Sequence, residues 1–258
     1  MVVRAERVLF ITTSVGEVGD SRKRTGLWLG SLAEPYYLFQ KKGYITEVAS
    51  MRGGTAPIDP LSMEKPYNRH PMTKRFLADG EALGLLDNTS SVAYISADRY
   101  SAIFITGKVL HVHDACCTCY GLGIAVDAPY SKELQRLLSE AFAAKKVVAA
   151  VGRGVAALLS AKITDPTHPQ AGMPIVYGKQ VTGYSNVEEE LSGHASEVPF
   201  SVEDRIEKVG GEYTRGNRNE GSYANKAGLI ITGQNSASAL SVAELVVEAL
   251  SYGVRLTP

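Results

Sequence analysis

Two stretches of the chain hold the residue types that could do chemistry. The first is Val147-Val148-Ala149-Ala150-Val151-Gly152-Arg153-Gly154-Val155-Ala156-Ala157-Leu158. An apolar run passes through a three-residue turn straight into a second apolar run. In hydrolase-type elbows such a strand-to-helix turn holds a nucleophile in a strained backbone conformation. This turn offers none, since Gly152 has no side chain and covalent catalysis needs a thiolate or an activated hydroxyl. Arg153 keeps its proton and cannot act as a general base near neutral pH. What remains is a helix start with N–H groups next to an arginine, so Gly152, Arg153 and Gly154 are a candidate site for a small anion. The competing reading is a relaxed turn with a surface arginine. Glycine also spares the turn the ~1–3 kcal/mol that another residue would incur there.

The second stretch is His111-Val112-His113-Asp114-Ala115-Cys116-Cys117-Thr118-Cys119, the one dense group of soft ligands. Histidines at i and i+2 can point the same way from an extended segment. Imidazole with thiolate suits Zn²⁺ or another soft metal, so His111, His113, Cys116, Cys117 and Cys119 are candidate metal ligands. They are equally a candidate nucleophile with its base. The spacing matches no paired Cys-x-x-Cys zinc pattern, and the simpler reading is a loop with small buried cysteines. No cofactor is otherwise expected. His70, His168 and His194 stand in polar, loop-like surroundings and receive no role.

The elements that must position these residues follow from periodicity. Val8–Thr12, Tyr44–Ala49, Tyr100–Thr106 and Lys145–Val151 read as strands, the apolar ones buried on both faces. Leu27–Lys42 reads as a helix that Pro35 should kink or break, and Gly43 stops it. Met72–Leu86 reads as a helix in one or two pieces, Ser131–Ala144 and Ala237–Ser251 as amphipathic helices, and Val155–Ala161 as the start of another. Ile175–Tyr177, Gln180–Thr182 and Gly228–Thr232 read as short strands. Strands alternating with helices predict a flavodoxin-like α/β three-layer sandwich, with helices on both faces of a mostly parallel sheet. No repeat or linker divides residues 1–258, so one domain is expected. In such sheets the functional crevice lies beyond the carboxyl ends of the strands, which points to the loops after Thr12, Thr106 and Val151.

Composition narrows the partners. Lys plus Arg and Asp plus Glu are 27 each, so the net charge is zero and no global field favours nucleic acid or an anionic membrane. No apolar run approaches the ~18–20 residues that span a bilayer. The three cysteines are odd in number and crowded into four positions, which fits a reducing compartment and a cytoplasmic protein.

Several separated segments together resemble the ThiJ/PfpI superfamily, a class I glutamine amidotransferase-like group, and within it the larger branch of stress chaperones and glyoxalases. They are Thr25-Gly26-Leu27-Trp28 with Pro35-Tyr36, Gly53-Gly54 with Pro57-Ile58-Asp59-Pro60, the Val147–Leu158 elbow, Val181-Thr182-Gly183-Tyr184-Ser185-Asn186 with Glu188-Glu189, and Ile231-Thr232-Gly233-Gln234-Asn235. The resemblance implies Cys-His-Gly at the elbow, where this chain has Gly152-Arg153-Gly154. It implies an acidic residue on the first helix, where this chain has Ser31, with Glu34 one turn away. Of a Gly-His-Gly loop only Gly107 survives, followed by Lys108-Val109-Leu110. Glu189 matches a position that orients the elbow histidine, a role without its partner when that residue is Arg153. Gly107 and Glu189 therefore join the candidate ligand-binding set. On these departures the expectation is a non-catalytic pseudoenzyme, binding a small anionic ligand or acting as a chaperone. The alternative is a hydrolase or glyoxalase-type enzyme whose chemistry has moved to the His111–Cys119 cluster. The resemblance also implies a homodimer.

Overall fold

Val8 to Thr12 are five consecutive buried residues, and they form an interior strand of the sheet. A strand covered on both faces has no polar side to offer, which is why this run reads as continuous hydrophobe rather than as alternation. The structure is a computed structural model that describes residues 5–19, 22–107, 121–193, 195–219 and 221–251. Its main sheet comprises β1 (Arg7–Thr12), β2 (Ile45–Ser50), β3 (Ser90–Ser91), β4 (Ala102–Ile105), β5 (Val147–Val151), β6 (Ala224–Ala227) and β7 (Ile230–Gly233). Their spatial order is β6-β7-β5-β4-β1-β2-β3. Every neighbouring pair is parallel except β6 and β7. That pair is a hairpin closed by Gly228-Leu229, with Gly228 at φ +64°, the conformation a two-residue turn needs.

The helices are α1 (Leu29–Lys41), α2 (Pro71–Ala78), α3 (Gly80–Asp87), α4 (Gly123–Asp127), α5 (Lys132–Ala143), α6 (Asn186–Leu191), α7 (Val202–Lys208) and α8 (Ala239–Ser251). Alternate residues along each strand feed two separate cores. Val8, Phe10 and Phe104 meet α1, α2, α3 and α8, whereas Leu9, Ile11, Ile103 and Ile105 meet α4, α5 and α7. On the first face Phe10 packs against Phe104 and Phe39 at centroid distances of 5.3 and 5.7 Å. Burying each such ring stabilises the fold by roughly 1.5–3 kcal/mol. This is the expected α/β flavodoxin-like arrangement, with a mostly parallel sheet between two helical layers.

Two local expectations change, and a third is settled. α1 continues through Pro35, which sits in its interior, and the helix is not broken there. Met72–Leu86 is two helices, because the Asp79 carboxylate accepts from Ala82 N and so starts α3. Ile175–Tyr177 is a turn rather than a strand. Ile175 and Val176 are fully buried, but Ile175 N donates to the Ala161 carbonyl, Tyr177 N closes a turn on the Pro174 carbonyl, and the segment joins no sheet.

Candidate functional site

β5 runs into Gly152 at φ +55°, and Gly152–Leu159 then forms a wholly buried 3₁₀ helix. The expected helix is thus tighter than an α-helix and begins earlier. The positive φ is the strained elbow conformation, which glycine adopts without steric cost. The elbow is also jammed against the end of β4. A Cβ on Gly107 would collide with the Val151 carbonyl and lie 2.6 Å from Gly154 N, while one on Gly154 would lie 2.5 Å from the Thr106 carbonyl. Two glycines let the two backbone segments touch, so Gly107 serves the packing of the elbow.

Arg153 is not a surface residue. It is 1% exposed, and its guanidinium meets the Glu189 carboxylate through Nε at 3.1 Å and Nη2 at 2.5 Å. Tyr184 lies under it, 4.3 Å from ring centroid to guanidinium carbon. Burial works against the charge, but Tyr184 and Glu189 outweigh it and hold the Arg153 pKa above the ordinary arginine value. The relaxed surface turn is therefore corrected, and so is the reading that Glu189 lacks a partner at position 153. Glu189 lies in α6, which Ser185 and Glu188 start with a reciprocal capping box. Glu188 also accepts from Asn235 Nδ2 at 2.8 Å, which ties α6 to the residue just beyond β7. The Glu188-Glu189-Glu190 run thus lies in a helix where Glu188 serves the cap, Glu189 meets Arg153 and Glu190 is exposed.

Beside the elbow, at the carboxyl ends of β1 and β4, a narrow crevice is bordered by Thr12, Thr13, Trp28, Thr106, Gly107 and Gly121. Thr12 Oγ1 is buried there without a hydrogen-bond partner among the described residues. Ser31 is buried too, but its hydroxyl donates to the Trp28 carbonyl at 2.7 Å. Glu34 points elsewhere, with Oε1 3.4 Å from His70 Nδ1, a pairing that sequence spacing gives no means of foreseeing. His111, His113, Cys116, Cys117 and Cys119 lie outside the described residues; the segment that carries them leaves at Gly107 and returns at Gly121, two borders of the crevice. Among the described residues no group of three or more His, Cys, Asp or Glu could hold a metal ion, and no helix is long and apolar enough to cross a membrane.

Sequence reasoning missed Asp127. Its Oδ2 accepts from Thr13 Oγ1 and Ser14 N, both at 2.8 Å, and so fixes the loop after β1, while Oδ1 is buried without a hydrogen-bond partner among the described residues. Burial pushes its pKa up to about 6 despite those hydrogen bonds. An acid at the end of an unremarkable apolar run gives no signal in the sequence.

No family model matches the chain. Glyoxalase 3 of Candida albicans is 27% identical to it, over 94% of this chain and 98% of its own. A glutathione-independent glyoxalase of Saccharomyces cerevisiae is 28% identical, over 95% and 98%. Among solved structures, the Rapid Encystment Protein of Francisella tularensis superposes with a TM-score of 0.81 at 32% identity, covering 95% of this chain and 99% of that one. A ThiJ/PfpI domain protein of Brachyspira murdochii shares the fold at a TM-score of 0.58 and 18% identity. The chain has the fold of the ThiJ/PfpI proteins. Its similarity to the named glyoxalases runs nearly end to end, and this overturns the expectation of a non-catalytic binding or chaperone-like protein.

Arg153→Met leaves Glu189 buried and unpaired, and should cost about 3–5 kcal/mol in chemical denaturation. Adding Glu189→Leu should recover most of that loss; a double variant as unstable as the single would refute the pairing. For Asp127 the folded-state pKa is raised, so the native state binds the extra proton between the unfolded value and about 6. Its stabilising effect is present at low pH and is lost as pH rises through that window, by about 2–3 kcal/mol. Asp127→Asn should flatten this part of the stability–pH curve and raise stability at pH 7.

Proposed function

We propose that this chain is a glyoxalase-type enzyme that converts a small 2-oxoaldehyde to the corresponding 2-hydroxy acid without glutathione, using a thiol of its own outside the elbow. The observation that carries the reading is the nearly full-length similarity to proteins named glutathione-independent glyoxalases. In this reading Gly152 and Arg153 stand where the larger stress-protein branch has its cysteine and histidine, and residues 1–258 act as one domain in a homodimer.

The chemistry is an internal redox exchange. A thiolate adds to the aldehyde carbon and the carbonyl oxygen takes up a proton. The hydrogen on that carbon then moves, as a proton, to the neighbouring carbon, whose ketone becomes an alcohol while the first carbon becomes a thioester. Water hydrolyses the thioester and returns the thiol, so no external oxidant or reductant is required. When glutathione does not supply the sulfur, the protein must. The whole chain has three cysteines, Cys116, Cys117 and Cys119, so a thiol mechanism has no other source. His111 and His113 are bases close by in sequence. The Thr12 hydroxyl, without a hydrogen-bond partner among the described residues, borders the narrow crevice beside the elbow. Arg153, held by Glu189, supports the wall and takes no proton.

Purified full-length protein given methylglyoxal, with no added thiol, should form lactate. Replacing Cys116, Cys117 and Cys119 together by serine should lower kcat/KM at least 100-fold while leaving the far-UV circular dichroism and melting temperature unchanged. Absence of turnover in the unmodified protein, or full turnover in the folded triple variant, would reject the proposal.

A further inference from the structure

A cavity of about 770 Å³ opens on the α1 face, between the start of α1, the segment from Pro66 to Thr73, and Ser236-Ala237. Its walls are largely apolar. Trp28 and Tyr67 meet edge to face, with centroids 5.1 Å apart, and Pro66 and Pro71 extend that surface. Gly30 keeps the interior open, since a Cβ there would sit 3.7 Å from both Thr73 Oγ1 and Trp28 Nε1. Trp28 borders the elbow-side crevice as well, but the cavity itself includes neither Gly152 nor Arg153.

The polar groups decide what would fit. Thr73 is 1% exposed, and its Oγ1 has no hydrogen-bond partner among the described residues. A buried hydroxyl left in this state calls for an explanation, because native proteins satisfy nearly all such groups. Thr73 is the third residue of α2, which begins at Pro71 with no side-chain cap from His70. The start of a helix without a cap presents N–H groups and a positive dipole end. Arg69 and His70 add donors at the rim. The acid on the lining is Glu34, which His70 approaches at 3.4 Å and whose pKa burial pushes up.

We propose that this cavity binds a small carboxylate carried on an aromatic or other apolar body. The carboxylate accepts from the Thr73 hydroxyl and the start of α2, and the body lies against Trp28 and Tyr67. Donors outnumber acceptors at the polar end, and the Glu34 carboxyl is turned to His70, so an acid suits the cavity better than an amine does. A few placed polar groups in an apolar concavity is the usual make-up of a small-molecule site.

Trp28 is the one tryptophan in the chain, so intrinsic emission reads occupancy directly. Full-length protein titrated with phenylacetate should show a saturable change in that emission, and phenethylamine should show none. Thr73→Val removes no hydrogen bond from the fold, so its melting temperature should be no lower than wild type. The same substitution should weaken phenylacetate at least tenfold, as expected for a lost hydrogen bond to a charged group. Gly30→Leu should fill the cavity and abolish the response. No saturable change with phenylacetate, equal or tighter binding of phenethylamine, or an affinity untouched by Thr73→Val would each overturn the proposal.

Discussion

The buried pair of Arg153 and Glu189 governs the functional end of this molecule. A guanidinium as fully enclosed as Arg153 is tolerable only with a carboxylate in reach and its remaining surface covered, here by Tyr184. Meeting that requirement fixes where α6 must lie. α6 in turn is capped by Ser185 and Glu188, and Glu188 reaches Asn235 beyond β7. One electrostatic demand at the end of β5 thus links the elbow, α6 and the residue just beyond β7.

The pair also limits what the elbow can do. Residue 152 has no side chain, and residue 153 is a cation turned to a carboxylate. The close contact of Gly107 with Gly154 presses β4 and β5 together beside it. The strained φ at Gly152 therefore survives as architecture, separate from the reactive group that such a turn can present. Activity in such a chain requires the nucleophile to come from another segment. The segment spanning the two glycines at the crevice contains all the sulfur available for that purpose, Met side chains aside.

Much of the fold was legible because the sheet imposes it locally. Runs such as Val8–Thr12 and Val147–Val151 have to be apolar on both faces, and glycine and proline punctuate them. The β6–β7 hairpin was harder to read, since Ala224–Ala227 is a partly exposed edge strand without hydrophobic alternation. The site was less legible than the fold. Arg153 looks like a surface residue in sequence, because nothing local announces that Glu189, 36 residues on, will neutralise it. Asp127, Glu34 with His70, and the Thr12 and Thr73 hydroxyls, buried without partners among the described residues, likewise depend on long-range neighbours. The functional expectation failed for a related reason. Missing elbow residues say which mechanism is unavailable there, and they do not say that the chain lacks another.

The central claim is that a thiol between residues 116 and 119 does the chemistry, and peptide mapping after alkylation tests it most directly. Protein treated with iodoacetamide, with and without methylglyoxal, would be sampled over time for activity and for the extent of modification at Cys116, Cys117 and Cys119. The account predicts that activity falls in step with modification of one of the three and that methylglyoxal slows that modification. Full methylglyoxal turnover by protein carrying all three alkylated cysteines would contradict it.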